Sequence, residues 1–326
     1  MNKSFILSTG SYLPKKILSN NDVASIVETS DEWIRQRTGI TQRHIADKEE
    51  LTSDLAVNAA RNAIEKAKIL VNEINLIIVA TTTPDKTLPS CATIVQSRLK
   101  CRNAFAFDVQ AACSGFIYAI TVADSLIKAN NSIKYALVIG AEIMSRIVDW
   151  KDRSTCVLFG DGAGAIIMKS VHCSEAVKKS INGGIVSTNL YSDGNIDILC
   201  TNGGVSSTGN PGKICMKGRE IFKHAVDKLT ASVKKALKFN NLEITDIDWL
   251  TPHQANIRIV EAVVKKLDLP IEKVINTVDQ HANTSAASIP LALDHAIQKS
   301  KIKPGSLGLL IAIGAGLTWG SVLLRY

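Results

Sequence analysis

An internal repeat constrains the fold of this chain more than any other feature. The segment "DVQAACSGFIYAITVADSLIK" (residues 108–128) aligns with "VDQHANTSAASIPLALDHAIQ" (residues 278–298) at a shift of 170. The flanks repeat too: residues 73–82 parallel residues 246–255 at a shift of 173, and 136–142 parallel 311–316 at a shift of 174. Agreement across three consecutive segments predicts a duplicated unit rather than coincidence. We place the two halves at residues 1–172 and 173–326.

Each half alternates short apolar runs with helical patterns, which is typical of a mostly parallel sheet covered by helices. Strands are predicted at 76–80, 104–109, 136–140 and 165–168, helices at 55–68, 90–99, 114–129 and 218–238, and a glycine-rich loop at 201–213. The sequence therefore predicts an α/β protein built from two similar halves.

Composition narrows the class of protein. The chain is 46% hydrophobic and 21% charged, which is typical of a globular protein. We find no signal peptide and no apolar run approaching about 18 residues, so we expect a cytoplasmic protein without a membrane span. The formal charge is +8, but the lysines are dispersed and aromatic residues are only 5%. That pattern argues against nucleic acid; it fits a solvated surface or an acidic or phosphorylated partner.

Cysteine is the first candidate for chemistry. The seven cysteines include no C-x-x-C pair and no nearby histidine at zinc-ligand spacing, so neither a disulfide framework nor a metal is indicated. Cys113 lies between a predicted strand and a predicted helix. The positive end of a helix favours a thiolate, which is the nucleophilic form. The other six cysteines are interpreted as small buried apolar residues.

Two polar residues are predicted to join Cys113. His253 follows a predicted strand in "WLTPHQAN", and Asn283 stands at a helix start in "DQHANTSAAS". The shift of 170 places Asn283 at the position equivalent to Cys113. Ligands of open α/β sheets bind beyond the carboxyl ends of the strands, so the three side chains are expected at one crevice.

A thiol, an imidazole and a carboxamide admit two chemistries. The order Cys, His, Asn is that of papain-like proteases. The papain signature C-G-[SA]-C-[WY] is absent, and the protease fold has no such duplication. These two observations disfavour the protease. The second chemistry is acyl transfer with carbon–carbon bond formation.

Four motifs carry a resemblance to a known family: "QAACSGF", "PHQAN", "HANTSAAS" and the terminal "GAGLTWGS". Together they resemble β-ketoacyl-acyl carrier protein synthase III, the initiating condensing enzyme of dissociated fatty-acid synthesis. The resemblance covers nearly the whole chain. It implies a thiolase-like fold, in which duplicated halves form a five-layer αβαβα sandwich. It also implies that Cys113 is the acylated nucleophile and that His253 and Asn283 act on the carrier-bound thioester. The backbone amides of Cys113 and Ala315 would hold the oxyanion.

The resemblance also implies how substrates bind. Residues implied for coenzyme A binding are Trp33, Arg37, Arg153, Arg219 and Asn256. Residues implied for docking of an acidic carrier protein are Lys223, Arg258, Lys265 and Lys266. Leu88 matches a position that reaches the neighbouring subunit of a homodimer and limits primer length. Ala282 and Ile313 depart from the family pattern, which commonly has glycine and an aromatic residue there.

The sequence therefore predicts a homodimeric acyltransferase that joins a short acyl-coenzyme A, with acetyl-coenzyme A favoured, to malonyl-acyl carrier protein. No cofactor or metal is expected. Two alternatives stay open. One is a thiolase-superfamily synthase with another primer or product, and the other is a non-catalytic protein that binds acyl carriers.

Overall fold

A computed structural model describes residues 2–174 and 183–326 of the chain. The strands are β1 (Asn2–Tyr12), β2 (Lys16–Ser19), β3 (Gln42–Ile45), β4 (Ile74–Ala80), β5 (Phe105–Val109), β6 (Tyr135–Ile143), β7 (Asp161–His172), β8 (Gly184–Ser192), β9 (Leu199–Thr201), β10 (Ile214–Met216), β11 (Trp249–Pro252), β12 (Leu307–Gly314) and β13 (Thr318–Arg325). The helices are α1 (Asn20–Ala24), α2 (Asp31–Thr38), α3 (Thr52–Ala67), α4 (Cys91–Leu99), α5 (Gly115–Ala129), α6 (Arg153–Cys156), α7 (Val205–Thr208), α8 (Gly218–Phe239), α9 (Ile257–Leu267), α10 (Val278–His281) and α11 (Ser288–Gln298).

Two sheets share one topology. The first has the strand order β5-β4-β6-β7-β1, in which β5, β4 and β6 are parallel and β7 and β1 are antiparallel to their neighbours. The second has the order β11-β12-β13-β8, in which β11 and β12 are parallel and the next two pairings are antiparallel. The counterpart of β5 is reduced to a single parallel bridge between Leu250 and Val274. The predicted duplication is therefore confirmed at the level of strand order and direction.

The two sheets are apolar on both faces, and helices cover each face to give five layers. Helices α5 and α11 lie between the sheets, and their buried side chains contact strands of both. Helices α3 and α4 cover the outer face of the first sheet, and α8 and α9 cover the outer face of the second. Burial of these apolar faces contributes on the order of 25 cal/mol per Å². The predicted αβαβα sandwich is confirmed. The boundary between the halves at 172/173 stays a prediction; residues 175–182, which follow it closely, lie outside the described residues.

The central helix corrects one expectation from the sequence. Residues Ala112–Ala129 are long and apolar enough to cross a membrane by length and composition. Phe116, Ile117 and Ile120 in this segment are fully buried among strands of the two sheets. The apolar run therefore belongs to the protein core, because a helix covered on both sides needs apolar residues around most of its surface.

The two central helices also correct the predicted alignment of the halves. Each helix is preceded by one 3₁₀ turn, Ala112–Ser114 in the first half and Ser285–Ala287 in the second. These turns begin 173 residues apart (285 less 112), not 170. By this alignment Cys113 corresponds to Ala286, and Asn283 lies just before the second turn. The prediction that Cys113 and Asn283 occupy equivalent places was wrong.

The glycine-rich segment is more ordered than predicted. Residues 201–213 include the short helix α7, and β9 and β10 pair on either side of them. Cys200 and Cys215 are exposed cross-strand partners in this ribbon. The prediction that all six other cysteines are buried was therefore wrong for these two and for Cys173, which is only partly buried.

Candidate active site

One cavity of about 730 Å³ opens between the two halves and reaches the nucleophile turn. Cys113, His253 and Asn283 all line it. The predicted substrate-binding residues Trp33, Arg37, Arg153, Arg219 and Asn256 line it too, together with Arg258 and Ile313. The structure thus brings together the predicted catalytic residues and five predicted substrate-binding residues, whereas Leu88, Ala315, Lys223, Lys265 and Lys266 do not line this cavity.

The turn that presents Cys113 is tightly constrained. Ala112 has a φ of 47°, a left-handed conformation that is uncommon for a residue with a side chain. The end of β12 packs directly on this turn, where a Cβ on Gly314 would lie 2.7 Å from the Cys113 backbone nitrogen. Glycine is required there because any side chain would collide with backbone. Ala315, the residue after Gly314, is where the resemblance implies the second backbone donor of an oxyanion site.

The Cys113 thiol is not held as a thiolate in this resting structure. Only 8% of the residue is exposed, and burial raises the pKa of the thiol to about 12. A hydrogen bond with the Ser285 side chain opposes this rise in pKa, whereas the nearby Glu142 carboxylate adds to it. The expected thiolate-favouring effect of the helix start is outweighed by desolvation, because a charge costs more free energy away from water.

His253 is buried in its neutral form. Burial lowers the pKa of His253 to about 3. Its Nδ1 lies 2.7 Å from Ser288 Oγ, and Ser288 Oγ accepts a hydrogen bond from the backbone N–H of Gln254. The hydroxyl proton of Ser288 is then available to Nδ1, and this network assigns the tautomer that carries its proton on Nε2. His253 therefore presents a neutral N–H donor.

Asn283 is oriented by its own loop. Its side-chain oxygen accepts a hydrogen bond of 2.9 Å from the Ser285 backbone N–H. Its backbone N–H donates to the Leu158 carbonyl, and its own carbonyl accepts from the Gly160 N–H. Because the side-chain oxygen is held, the amide nitrogen is the end that can donate into the cavity.

The cavity mouth combines an aromatic ring with two guanidinium groups. The Cζ of Arg153 lies 4.9 Å from the centroid of the Trp33 ring, and that of Arg37 lies 5.9 Å from it. Both arginines are exposed. Stacked arginine and indole offer flat surfaces for a planar ring and positive charge for phosphate.

The predicted docking residues lie on helices α8 and α9, and of these only Arg258 lines the cavity. The Cζ of Arg258 lies 5.9 Å from the Phe222 ring centroid, and Lys223 is the next residue on α8. Lys265 and Lys266 lie in the last turn of α9, and Lys266 forms an ion pair of 2.7 Å with Asp227. Asn256 begins α9 and also donates a hydrogen bond to the Arg37 carbonyl, which ties α9 to α2.

Three other predicted positions behave differently from one another. Leu88 does not line the cavity of its own chain, and 82% of it is exposed. Ile313 lines the cavity and is buried. Ala282 adopts φ 57° and ψ −161°, a region that only glycine enters without strain. This backbone conformation explains in physical terms why glycine is common at that position.

Sequence reasoning missed three supporting residues. Ser288 sets the tautomer of His253, and Ser285 opposes the burial-driven rise in the pKa of the Cys113 thiol. Glu142 is a fully buried carboxylate at the end of β6 that bonds to Ser285. A charged residue at the end of an otherwise apolar strand was a signal available for Glu142. The two serines carried no comparable signal. Within residues 2–174 and 183–326, no group of three or more His, Cys, Asp or Glu is arranged to hold a metal.

The fold and the site define an acyl-transferring condensing enzyme of the thiolase class. Residues 107–194 match the family "3-Oxoacyl-[acyl-carrier-protein (ACP)] synthase III", and residues 237–326 match its C-terminal region. The chain belongs to the 3-oxoacyl-[acyl-carrier-protein] synthase III family.

Individual relatives agree with this assignment. A Beta-ketoacyl-[acyl-carrier-protein] synthase III from Wolbachia pipientis wMel is 82% identical over 326 residues, which cover 100% of both chains. A 3-oxoacyl-[acyl-carrier-protein] synthase III structure from Aquifex aeolicus is 47% identical, with a TM-score of 0.92 over 99% of this chain and 100% of that one. A priming β-ketosynthase from the R1128 polyketide pathway is 32% identical, with a TM-score of 0.91 over 99% of this chain and 96% of that one.

Proposed function

We propose that this enzyme starts fatty-acid synthesis by condensing a short acyl-coenzyme A, with acetyl-coenzyme A favoured, with malonyl-acyl carrier protein. The products are a 3-oxoacyl-acyl carrier protein, coenzyme A and carbon dioxide. The observation that carries the proposal is the convergence of Cys113, His253 and Asn283 on a single cavity with a cationic, aromatic mouth. The high identity to curated synthases of this name over the full chain supports the reaction.

The first half-reaction transfers the acyl group to the enzyme. The Cys113 sulfur attacks the thioester carbon, and the coenzyme A thiolate leaves. The oxygen that becomes negative is assigned to the backbone N–H groups of Cys113 and Ala315; Gly314, the residue before Ala315, packs against the turn that carries Cys113. Donors fixed in advance at such a position are typically worth about 10²- to 10³-fold in rate each.

The second half-reaction forms the carbon–carbon bond. The thioester oxygen of the malonyl group accepts hydrogen bonds from His253 Nε2 and from the Asn283 amide. Loss of carbon dioxide leaves an enolate whose charge lies on that oxygen, so two neutral donors lower the barrier. The enolate carbon then attacks the acyl-Cys113 thioester, and the thiol is regenerated. These steps use side chains of this chain and call for no metal or redox cofactor; the absence of a cofactor stays a prediction, as does a cytoplasmic location.

Coenzyme A is proposed to bind with its nucleotide at the mouth and its pantetheine arm along the cavity. Trp33, Arg37 and Arg153 supply stacking and charge at the outer end. Arg219 and Asn256 line the path inward, and Arg258 lies at the rim. With Lys223, Lys265 and Lys266, this rim presents positive charge to an acidic carrier protein.

Arg153→Ala is expected to raise KM for acetyl-coenzyme A about tenfold and to leave kcat within about twofold, because it removes binding distant from the reacting carbon. Steady-state kinetics measures both constants. Arg35→Ala is the matched control, since Arg35 is exposed on α2, does not line the cavity and pairs with Asp31. The effect should disappear with acetyl-pantetheine, which lacks the nucleotide. An equal effect on both substrates would contradict the nucleotide-binding role.

The enzyme is also proposed to act as a homodimer joined along β5. This strand ends the first sheet and has no β partner on its outer side within the described residues. Phe105 on β5 is 47% exposed and stacks on Phe107, with the ring centroids 6.5 Å apart. An unprotected apolar edge strand is a template for a second strand. Leu88, also exposed and apolar, would enter the neighbouring subunit there.

Phe105→Glu is expected to shift the protein from dimer to monomer, because it places a charge in the proposed joint. Sedimentation velocity measures the mass at micromolar concentration. Phe239→Glu is the control, since Phe239 is 76% exposed at the far end of α8. A Phe105→Glu protein that stays dimeric would exclude β5 as the joint.

The proposed function is tested by supplying acyl-coenzyme A primers of increasing length together with malonyl-acyl carrier protein. Mass spectrometry follows acylation of the enzyme and the carrier-bound product. We expect a 3-oxoacyl product with short primers. Acylated enzyme without that product would favour a related synthase of the kind represented by the polyketide priming enzyme. If no primer acylates the enzyme, the proposed reaction is wrong and a non-catalytic protein that binds acyl carriers is the interpretation that fits.

A further inference from the structure

Two cysteines that the proposed reaction does not use lie opposite each other on one short ribbon. The ribbon consists of β9 and β10, which pair in an antiparallel register with Cys215 directly across from Cys200. Both residues are exposed, and both are free thiols in this structure. Directly opposed residues of an antiparallel pair place their side chains on the same face, so the two thiols share the outer face of the ribbon.

The hydrogen bonds of the ribbon fix the spacing of this pair. The Asn202 N–H donates to the Lys213 carbonyl at 2.9 Å. At the other end the Lys217 N–H donates to the Ile198 carbonyl, also at 2.9 Å. Hydrogen-bonded pairs recur at every second residue, and the two cysteines lie two residues from each of these pairs, so they form such a pair too. The Cα atoms of a hydrogen-bonded pair are about 5.5 Å apart, within the range of about 4.4 to 6.8 Å that a disulfide spans.

Formation of a disulfide requires a small movement of the ribbon. Opposed Cβ atoms are typically about 4.5 to 5.5 Å apart, whereas a disulfide holds them about 3.5 to 4.5 Å apart. The Cys215 thiol also has to leave the Lys213 carbonyl, whose oxygen lies 3.7 Å from its sulfur. Each strand has only three residues and the ribbon belongs to neither large sheet, so little structure resists the movement. A strained, exposed disulfide is easily reduced, as regulatory disulfides are.

We propose that Cys200 and Cys215 form a reversible dithiol–disulfide site whose oxidant is a small anionic disulfide. The surrounding charge supports an anionic partner. Lys213 and Lys217 are exposed, and because each lies two residues from Cys215 they share its face of the strand. In a reducing compartment, disulfides between such cysteines are typically transient and sense redox conditions. This inference goes beyond the proposed function, since it concerns a modification away from the reacting atoms.

A metal is a weaker interpretation of the same two thiols. A structural zinc ion takes four ligands, and two thiolates supply only half of them. In the part of the chain that the structure describes, residues 2–174 and 183–326, no group of three or more His, Cys, Asp or Glu could hold a metal ion. The neighbouring side chains on this face are lysines, which repel a cation. Oxidation is therefore the chemistry that fits the pair.

The exchange balances in atoms and electrons when oxidised glutathione is the small disulfide. One cysteine thiolate attacks a glutathione sulfur, the S–S bond of glutathione breaks, and one glutathione leaves as a thiolate that takes up the proton lost by the cysteine. The second cysteine thiolate attacks the cysteine sulfur of the mixed disulfide and releases the second glutathione in the same way. Two cysteine thiols are thereby oxidised, and one glutathione disulfide is reduced to two thiols.

The ribbon connects this site to the cavity. Leu199 and Met216 are the neighbouring opposed pair, and both line the cavity. Because side chains alternate along a strand, these two face inward where the cysteines face outward. Gly218, where α8 begins, lines the cavity as well. A covalent bond across the ribbon should therefore hold this wall of the cavity against local opening, since a cross-link removes open conformations.

The first experiment equilibrates the full-length enzyme with mixtures of reduced and oxidised glutathione and then blocks free thiols with N-ethylmaleimide. Peptide mapping without reduction should find Cys200 linked to Cys215 within one chain, and dithiothreitol should reverse the link. Cys200→Ser and Cys215→Ser are the matched controls, because each is a nearly isosteric change at an exposed position. In each variant the remaining thiol should stop at the glutathione adduct. Cys173, which is not part of the ribbon, should form only the adduct in the same samples.

The second experiment compares the oxidised and reduced enzyme by hydrogen exchange and mass spectrometry. Backbone amides of residues 198–217 should exchange at least about tenfold more slowly after oxidation, because the cross-link disfavours opening of the ribbon. Amides of the distant helix α3 should exchange at the same rate in both states. The two serine variants, treated with glutathione in the same way, should show no slowing in the ribbon.

Three results would overturn the proposal. Glutathione adducts on both cysteines without a link between them would show that the ribbon does not close. A link found only between two chains would place the reaction elsewhere. A link within one chain that leaves hydrogen exchange unchanged would show that it does not restrain the cavity wall. Neither experiment uses acyl-coenzyme A or carrier protein, so failure here is distinguishable from failure of the proposed function, which the primer experiment decides.

Discussion

Serine in place of Cys113 is expected to reduce acyl transfer from acetyl-coenzyme A by at least about a thousandfold, the scale seen when a covalent nucleophile is lost. A hydroxyl is a far weaker nucleophile than a thiol near neutral pH. The substitution is nearly isosteric in a fully packed turn, so the fold and the affinity for coenzyme A should be retained. Intact-protein mass spectrometry after incubation with acetyl-coenzyme A measures the acylated fraction.

Cys200→Ser is the matched control for this substitution. Cys200 is exposed on β9 and is not among the residues that line the cavity, so its replacement should leave acylation unchanged. Peptide mapping of the unmodified enzyme should locate the acyl group on Cys113 alone. Acylation of Cys113→Ser at the unmodified rate, or a label on another cysteine, would contradict the nucleophile assignment.

The fold was largely predictable from the sequence because the pattern of apolar residues that specifies it is long and occurs twice. Apolar runs of strand and helix length recur in the same order in both halves, and the observed β4, β5 and β6 lie within a few residues of the predicted strands. The alignment of the halves failed by three residues at the central helices. A slip of three residues is close to one helical turn, so it keeps the apolar residues on the same face. Apolar periodicity therefore does not distinguish a shift of 170 from one of 173.

The site was predictable as a set of residues but not as a set of ionisation states. Cys113, His253 and Asn283 were identified by residue type and motif, and the cavity brings them together. The thiol pKa depends on how completely neighbouring layers exclude water from the turn, which no local sequence pattern encodes. Burial of the Cys113 thiol also depends on Gly314, which lies about 200 residues after Cys113 in the sequence. Gly314 allows β12 to approach the nucleophile turn.

Glu142 illustrates the same limit. Its partners come from the loop after β4 and from the turn before α11, and only the packed sheets bring those segments together. Leu88 illustrates a different limit of prediction from the sequence. Its role depends on a second subunit, so a single chain shows it only as an exposed apolar residue.

His253→Ala is expected to separate the two half-reactions. Acylation of Cys113 should continue within about threefold, because the proposed role of the imidazole is to donate to the malonyl thioester in the second half-reaction and not to act in the first. Decarboxylation of malonyl-acyl carrier protein should fall about 10²- to 10³-fold, since one of two donors to the enolate oxygen is lost. Release of labelled carbon dioxide measures the second step, and intact mass measures the first. Asn283→Ala should give the same pattern, because its amide serves the same oxygen.

The ionisation of His253 gives this assignment a pH signature. The pKa of His253 is lowered to about 3, so the neutral N–H donor persists from about pH 5 upwards, and activity lost by protonating it appears only near pH 3. The decarboxylation rate should therefore show no inflection near pH 6.5, where an unperturbed histidine titrates. Ser288→Ala removes the hydroxyl that selects the Nε2 tautomer and should reduce decarboxylation about tenfold while acylation is retained. Full decarboxylation by His253→Ala, or an inflection near pH 6.5 that this substitution abolishes, would show that the imidazole does not act as a neutral donor.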